Sequence, residues 1–255
     1  MKNILTIAKF TFIEVYRSKI MLGIVFLALG MLIMTMVASA FAYGAPDKVA
    51  LDFAIGMMSV ANLLIAIFLG VTLVSKEIES RTLYMVLSRP ITRFAFLLGK
   101  IFGLSTVLII NTFFLTTIGL ISFRYLGGTG EGLLFWVAFF SLIEAVIVML
   151  FGVMFSLISN PSLASIFTIL VLVSGHTITS TLTNFFAKTS NVTMTVLKYS
   201  LFFIPDLERI NLKDFLIYKQ QIANSYIYSN VVYVFMYIAV LMIVISMIFS
   251  RKNLD

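Results

Sequence analysis

Six stretches of the chain stay apolar for long enough to cross a bilayer, and the polar positions gather between them. About 30 Å of hydrocarbon takes roughly 20 helical residues at a rise of about 1.5 Å each. The runs fall at about 20–43, 54–74, 94–123, 133–158, 163–183 and 231–250. The fifth turns rich in Ser and Thr in its second half, and the sixth is the most uniformly apolar. Between them the pattern predicts a short loop at 44–53 (GAPDKVALDF) and a charged loop at 75–93. A Gly-rich turn follows at 124–132, then a tight turn at 159–162 (SNPS) around Pro161. One long connection occupies 184–230. The predicted fold is all-α: one polytopic transmembrane domain over 1–255, with six spans and both termini on the same side.

Two shorter elements accompany the spans. In residues 1–18, Ile4, Leu5, Ala8, Phe12 and Val15 share one side of a helix, while Lys2, Lys9 and Arg17 lie elsewhere. That pattern suits an interfacial helix with its cations near anionic headgroups. The competing reading is that these residues simply begin the first span. In the long connection, residues 196–204 are apolar but too short to cross, and Pro205 and the charged run DLERINLKD follow. This reads as short amphipathic helices at the outer surface, dipping into the membrane.

Composition removes the alternatives. Hydrophobic residues make up 61% of the chain and charged ones 11%, against about 25% charged in a soluble domain. A compact soluble body of this mass cannot hide so much apolar surface. A soluble enzyme, a nucleic-acid-binding domain and a disordered protein are therefore excluded. The net charge of +7 is informative through its placement. The N-terminus, residues 75–100, the SNPS turn and the C-terminus together carry a net +7, and the opposite set a net +1. The positive-inside rule then puts both termini in the cytoplasm of a cell (inner) membrane protein. Glu14 and Arg17 precede the first apolar run, so the N-terminus does not read as a cleaved signal. There is no cysteine, hence no disulfide and no thiolate metal site.

Few residues offer chemistry. His176 is the sole histidine and lies in the fifth span within LVSGHTITS. One His without Cys cannot build the usual zinc or di-iron cluster. Ser174 and His176 stand two residues apart on a helix and so do not face each other as nucleophile and base. Glu144 sits about midway along the fourth span, where a charge costs about 2.5–3.5 kcal/mol on insertion scales. It either lines a transport path or couples a proton, or it bonds to Asn62, Asn111 or His176 of neighbouring spans. Asn62 and Asn111, in the second and third spans, read as amides that hold helices together. Gly99 and Gly103 in GKIFG, and Gly152 with Ser156, have the small-xxx-small spacing of close helix packing. No GxxxxGK[ST] nucleotide loop is present, so any ATP hydrolysis belongs to another chain.

The informative segment is 75–100, SKEIESRTLYMVLSRPITRFAFLLGK. Residues 77–87 have helix-forming composition, with Ile78, Leu83, Val86 and Leu87 apolar among Glu77, Glu79, Arg81 and Arg89. Pro90 ends the helix, because the residue before a proline is pushed out of the α region. The segment is either a solvated helical loop or a rigid lever that docks in a groove of a cytoplasmic partner.

This stretch resembles the signature of type-2 permeases of the ATP-binding-cassette (ABC) transporters. That family carries an acidic pair, Gly-Thr-Leu, a leucine-rich turn, Arg-Pro, a further Arg and Leu-Gly-Lys. The counterparts here are Glu77 and Glu79, Thr82-Leu83, Val86-Leu87, Arg89-Pro90, Arg93 and Leu98-Gly99-Lys100. Arg81 stands where the family usually has glycine. Size and layout are similar to the subgroup of permeases for copper-enzyme maturation, as in nitrous oxide reductase assembly.

The resemblance implies a homodimer or heterodimer of permeases with two ABC ATPase subunits in the cytoplasm. ATP and Mg would sit on those ATPases, and this chain would hold no cofactor and no metal. Residues 76–90 would form the coupling helix, with Glu77, Glu79, Arg81, Thr82, Leu83, Arg89 and Pro90 at the ATPase contact. The chain would then be a non-enzymatic transport subunit, an exporter. The alternatives are an ATPase-driven scaffold that moves an extracytoplasmic partner, docked on 184–230, or an intramembrane enzyme built on His176 or Glu144.

Overall fold

The computed structural model describes residues 2–18, 20–42, 44, 46–79, 92–128, 132–186, 204–217 and 222–251. All secondary structure among them is helical. In chain order the helices are α1 (Lys2–Arg17), α2 (Ile20–Ala40), α3 (Pro46–Glu79), α4 (Arg93–Tyr125), α5 (Leu134–Ile158) and α6 (Pro161–Phe186). A single 3-10 turn (Glu208–Ile210), the short α7 (Lys213–Ile217) and α8 (Asn224–Arg251) complete the order.

Among the described residues five helices, α2, α3, α4, α5 and α8, are long and apolar enough to cross a membrane. Among the described side chains α6 contributes a shorter apolar stretch, Pro161–Thr177. The chain is therefore a polytopic all-α membrane protein. Its exposed surface carries Phe26, Ile33, Phe68, Phe113, Phe235 and Met236, side chains that acyl chains cover and water would not.

The bundle is built around α3 and α5. In each, 56% of the membrane-length window is buried, against 28% in α2 and 17% in α8. The reason lies in one crossing. A Cβ at Gly70 would collide with the Met149 carbonyl oxygen, and one at Gly152 would lie 3.3 Å from the Gly70 backbone. Two glycines at the same crossing let the backbones touch, which is how membrane helices gain dispersion contacts where the hydrophobic effect does not drive them together. The Gly152 and Ser156 spacing thus serves packing against α3, with Ser156 buried and bonded to its own helix at Val153.

α1 is a separate helix, not the opening turns of α2. It packs lengthwise on the start of α4. A Cβ on Gly99 would fall against Ile7 and the Ile4 carbonyl, and one on Gly103 against Thr11 and, at 2.8 Å, the Ala8 carbonyl. Glu14 of α1 accepts from the buried Lys100 ammonium at 3.2 Å. Arg93 donates to the Phe249 and Ser250 carbonyls, at 3.3 and 3.1 Å, at the C-terminal end of α8, where exposed carbonyls favour a cation. The termini-bearing end of the bundle is thus pinned by α1, the start of α4 and the end of α8.

Helix ends depart from the sequence reading at both ends of α3 and at the start of α8, which opens at Asn224 inside the stretch read as the long connection. Residues 44–53 read as a loop, yet α3 begins at Pro46. Proline is well suited to the first helical position, where its missing N–H costs nothing, and Asp47 in the first turn complements the helix dipole. At its other end α3 continues past the expected limit near 74 to Glu79. Nothing in Ser-Lys-Glu-Ile-Glu breaks a helix. Thr92 caps α4, its Oγ1 accepting from the Ala95 N–H at 3.2 Å.

Candidate functional site

Three polar side chains meet where α5, α6 and the 3-10 turn converge, at the end of the bundle away from the termini. His176 projects from α6. Its Nε2 lies 2.8 Å from Glu144 Oε1 of α5, and its Nδ1 lies 3.3 Å from Glu208 Oε2 of the 3-10 turn. Glu144 is buried, whereas Glu208 is close to half exposed. Glu144 stands ten residues into α5, about 15 Å from its start. The site therefore reaches into the membrane-length part of the bundle and is not confined to its rim. The two carboxylates approach opposite sides of the ring and do not converge on one point. Among the described residues no group of His, Asp or Glu is arranged to hold a metal ion.

A cavity of about 250 Å³ opens beside this triad. Glu144, His176, Ser141 and Ser59 give it a polar wall; Ile55, Val60, Val137, Ile210 and Leu212 give it an apolar one. Lys213 stands at the rim, 2.6 Å from Asp52 of α3.

Deeper in the bundle a second polar group joins α3, α4 and α5. Asn111 Nδ2 donates to Asn62 Oδ1 at 2.7 Å, and Asn62 Nδ2 donates to Ser141 Oγ at 3.3 Å. Thr112 Oγ1 lies 3.1 Å from the same Asn62 oxygen. Asn62 and Asn111 are fully buried, and Asn111 Oδ1 has no hydrogen-bond partner among the described residues. Ser141 belongs to both sets: it bonds Asn62 and lines the cavity one turn from Glu144. Polar side chains thus step from Asn111 through Asn62 and Ser141 to Glu144, His176 and Glu208.

The segment 204–217 roofs this cavity. Leu207, Ile210, Leu212 and Leu216 are buried in the bundle. The Leu207 N–H donates to the Gly175 carbonyl at 3.2 Å, and Gly175 is small enough for Pro205 to approach; a Cβ would lie 2.8 Å from the Pro205 oxygen. On the α8 side Arg209 is held several ways. Its Nε donates to Asn230 Oδ1 at 2.8 Å, its carbonyl accepts from Tyr226 OH and Asn230 Nδ2, and its guanidinium lies 5.1 Å from the Tyr233 ring centre.

Of the residues singled out in the sequence, Glu144 and His176 meet each other, and Asn62 meets Asn111. The coupling segment behaves differently. Glu77 and Glu79 fall in the last turn of α3. Arg81, Thr82, Leu83, Arg89 and Pro90 lie outside the described residues. Glu208, Ser141, Arg209 and the Asp52–Lys213 pair were not anticipated. Only the presence of polar residues in 206–214 and within the fourth span hinted at them.

The polar side chains and the small roofed cavity thus lie within a bundle of membrane-length helices. The family described as ABC-2 family transporter protein matches residues 5–254, and the chain belongs to that family. It is a permease of the ABC class and is not itself an enzyme; members of the family work with ABC ATPase partners in a lipid bilayer. No curated protein matches the chain.

Proposed function

We propose that this chain is the membrane subunit of an ATP-driven exporter in the cell (inner) membrane, paired with a second permease and served by two cytoplasmic ATPases through residues 76–90. The observation that supports this most is the continuity of α3. Its 34 residues make a rod about 51 Å long. One end carries Glu77 and Glu79 of the motif; the middle contributes Asn62 to the polar group, and Ser59, Gly56 and Ile55 toward the other end line the cavity. Between them lies the Gly70 crossing with α5. A displacement imposed near residue 79 therefore reaches the cavity without passing through a flexible joint. ATP binding in the partner would bias the rod between two positions. Outward transport is what the motif resemblance implies.

Co-expression with an adjacent ABC ATPase tests this reading. Native mass spectrometry is expected to give two permease and two ATPase chains, and sealed vesicles are expected to accumulate or lose cargo only with ATP. A co-expressed ATPase that neither binds the permease nor has its ATP hydrolysis changed by it overturns the pairing. A stable complex that turns over ATP with no ATP-dependent flux favours the scaffold reading instead.

A further inference from the structure

The His176 contacts require a proton that nothing in the transport reading assigns. A neutral imidazole has one N–H and one bare lone pair. Here both ring nitrogens lie within hydrogen-bonding distance of a carboxylate oxygen, at 2.8 and 3.3 Å. With a neutral ring and two ionised carboxylates, one nitrogen lone pair would face a carboxylate. The arrangement is satisfied only with one more proton, either on the second ring nitrogen or on a carboxyl oxygen. Because the three groups share it, the proton belongs to the cluster and not to one residue. We propose that Glu144, His176 and Glu208 form a proton-binding site, and that the bound proton latches the 204–217 segment over the cavity.

The surrounding charges agree with a single-proton latch. Glu144 faces the ring from α5 and Glu208 from the 3-10 turn. The other charged groups near the cavity, Asp52 of α3 and Lys213 of α7, neutralise each other at the rim. Arg209, next to Glu208, is turned away to α8. Of the two carboxylates, Glu144 is fixed in a long helix and buried, while Glu208 is on a three-residue turn and half exposed. When the proton leaves, Glu208 is the partner that moves, since its charge can be solvated and that of Glu144 cannot. Arg209 stays clamped on α8 and serves as the hinge. The His176 side of the segment, with Leu207 on Gly175 and Leu212 on the cavity, is the side that lifts. Acid therefore closes the roof and base releases it. This latch goes beyond the transport reading and does not depend on it.

The chain has no cysteine, so a single introduced thiol reports cleanly. Leu212→Cys places it at a position 2% exposed on the cavity wall, and Tyr228→Cys, 76% exposed, serves as reference for the reactivity of the thiol itself. Purified protein without any ATPase is labelled with a maleimide between about pH 5 and about pH 10, which brackets imidazole titration. The labelling rate at 212 relative to that at 228 is expected to rise at least about tenfold across this range, as an equilibrium shift of about 1.4 kcal/mol or more would give. In the Glu208→Gln background the ratio is expected to stay low and flat, because an amide can donate to the bare nitrogen or accept from a protonated one. His176→Gln, which removes the titrating ring, is expected to be flat as well and serves if the first variant does not fold. A ratio independent of pH in the otherwise unchanged chain overturns the proposal. So does an undiminished rise in either glutamine variant.

Discussion

Gly70→Ala is expected to lower the melting temperature of the purified chain and to reduce its folded yield. The added methyl would fall against the Met149 carbonyl oxygen, which is backbone and cannot rotate away. The two central helices must then separate. Overpacking a tight site costs about 1–3 kcal/mol, and the upper part of that range applies where the obstacle is main chain. Separation of α3 and α5 also strips dispersion contacts from neighbours such as Leu69, Val148, Met149 and Val153, all buried. Gly30→Ala in α2 is the control. A Cβ there meets nothing within 4 Å, and alanine is the better helix former by about 1 kcal/mol, so stability is expected to hold or rise slightly. A large loss at Gly30 would instead mark that face of α2 as a contact with another chain. Thermal unfolding followed by circular dichroism in detergent separates these outcomes.

Alanine at Glu79 or Arg89 is expected to abolish most of the ATPase stimulation that the permease gives its partner, while leaving its own melting temperature unchanged. Truncating one side of a desolvated charge pair costs about 2–5 kcal/mol, and each 1.4 kcal/mol is a factor of about ten in affinity. Even the lower figure thus removes more than about nine-tenths of the productive contact at limiting ATPase. Glu79 ends α3, nine residues past Gly70, so its replacement is expected to leave the core packing intact. Steady-state ATP hydrolysis in proteoliposomes measures the effect. Retention of stimulation after deletion of 77–89 would refute the lever outright.

The spans were legible because bilayer crossing demands long apolar runs, and such runs are visible one residue at a time. The start of α3 was not. Asp47, Lys48 and Asp52 make residues 46–53 look like a loop, yet Asp52 is there to pair with Lys213, a partner 161 positions away that no local pattern discloses. The site was half legible. A lone buried carboxylate and a lone histidine in adjacent spans each need a partner, so Glu144 with His176 was among the pairings the chemistry allowed. Asn62 and Asn111 followed the same logic but were read separately, because helix rotation decides whether two amides meet. Glu208 was invisible for a different reason. It sits in a charged run of the long connection, where an acidic residue ordinarily faces water, and only the burial of Leu207, Ile210 and Leu212 brings it to His176. In GKIFG the glycines point to close packing, but the spacing alone does not disclose that α1 is the partner.

The most direct measurement of force transmission along α3 is the accessibility of its far end while ATP acts on the near one. A cysteine at Ser59, on the cavity wall, is labelled in proteoliposomes containing the ATPase, with and without ATP and Mg. The account predicts a labelling rate that changes severalfold on adding ATP and an unchanged rate in the Arg89→Ala background. Vigorous ATP hydrolysis with identical labelling in both conditions would contradict it.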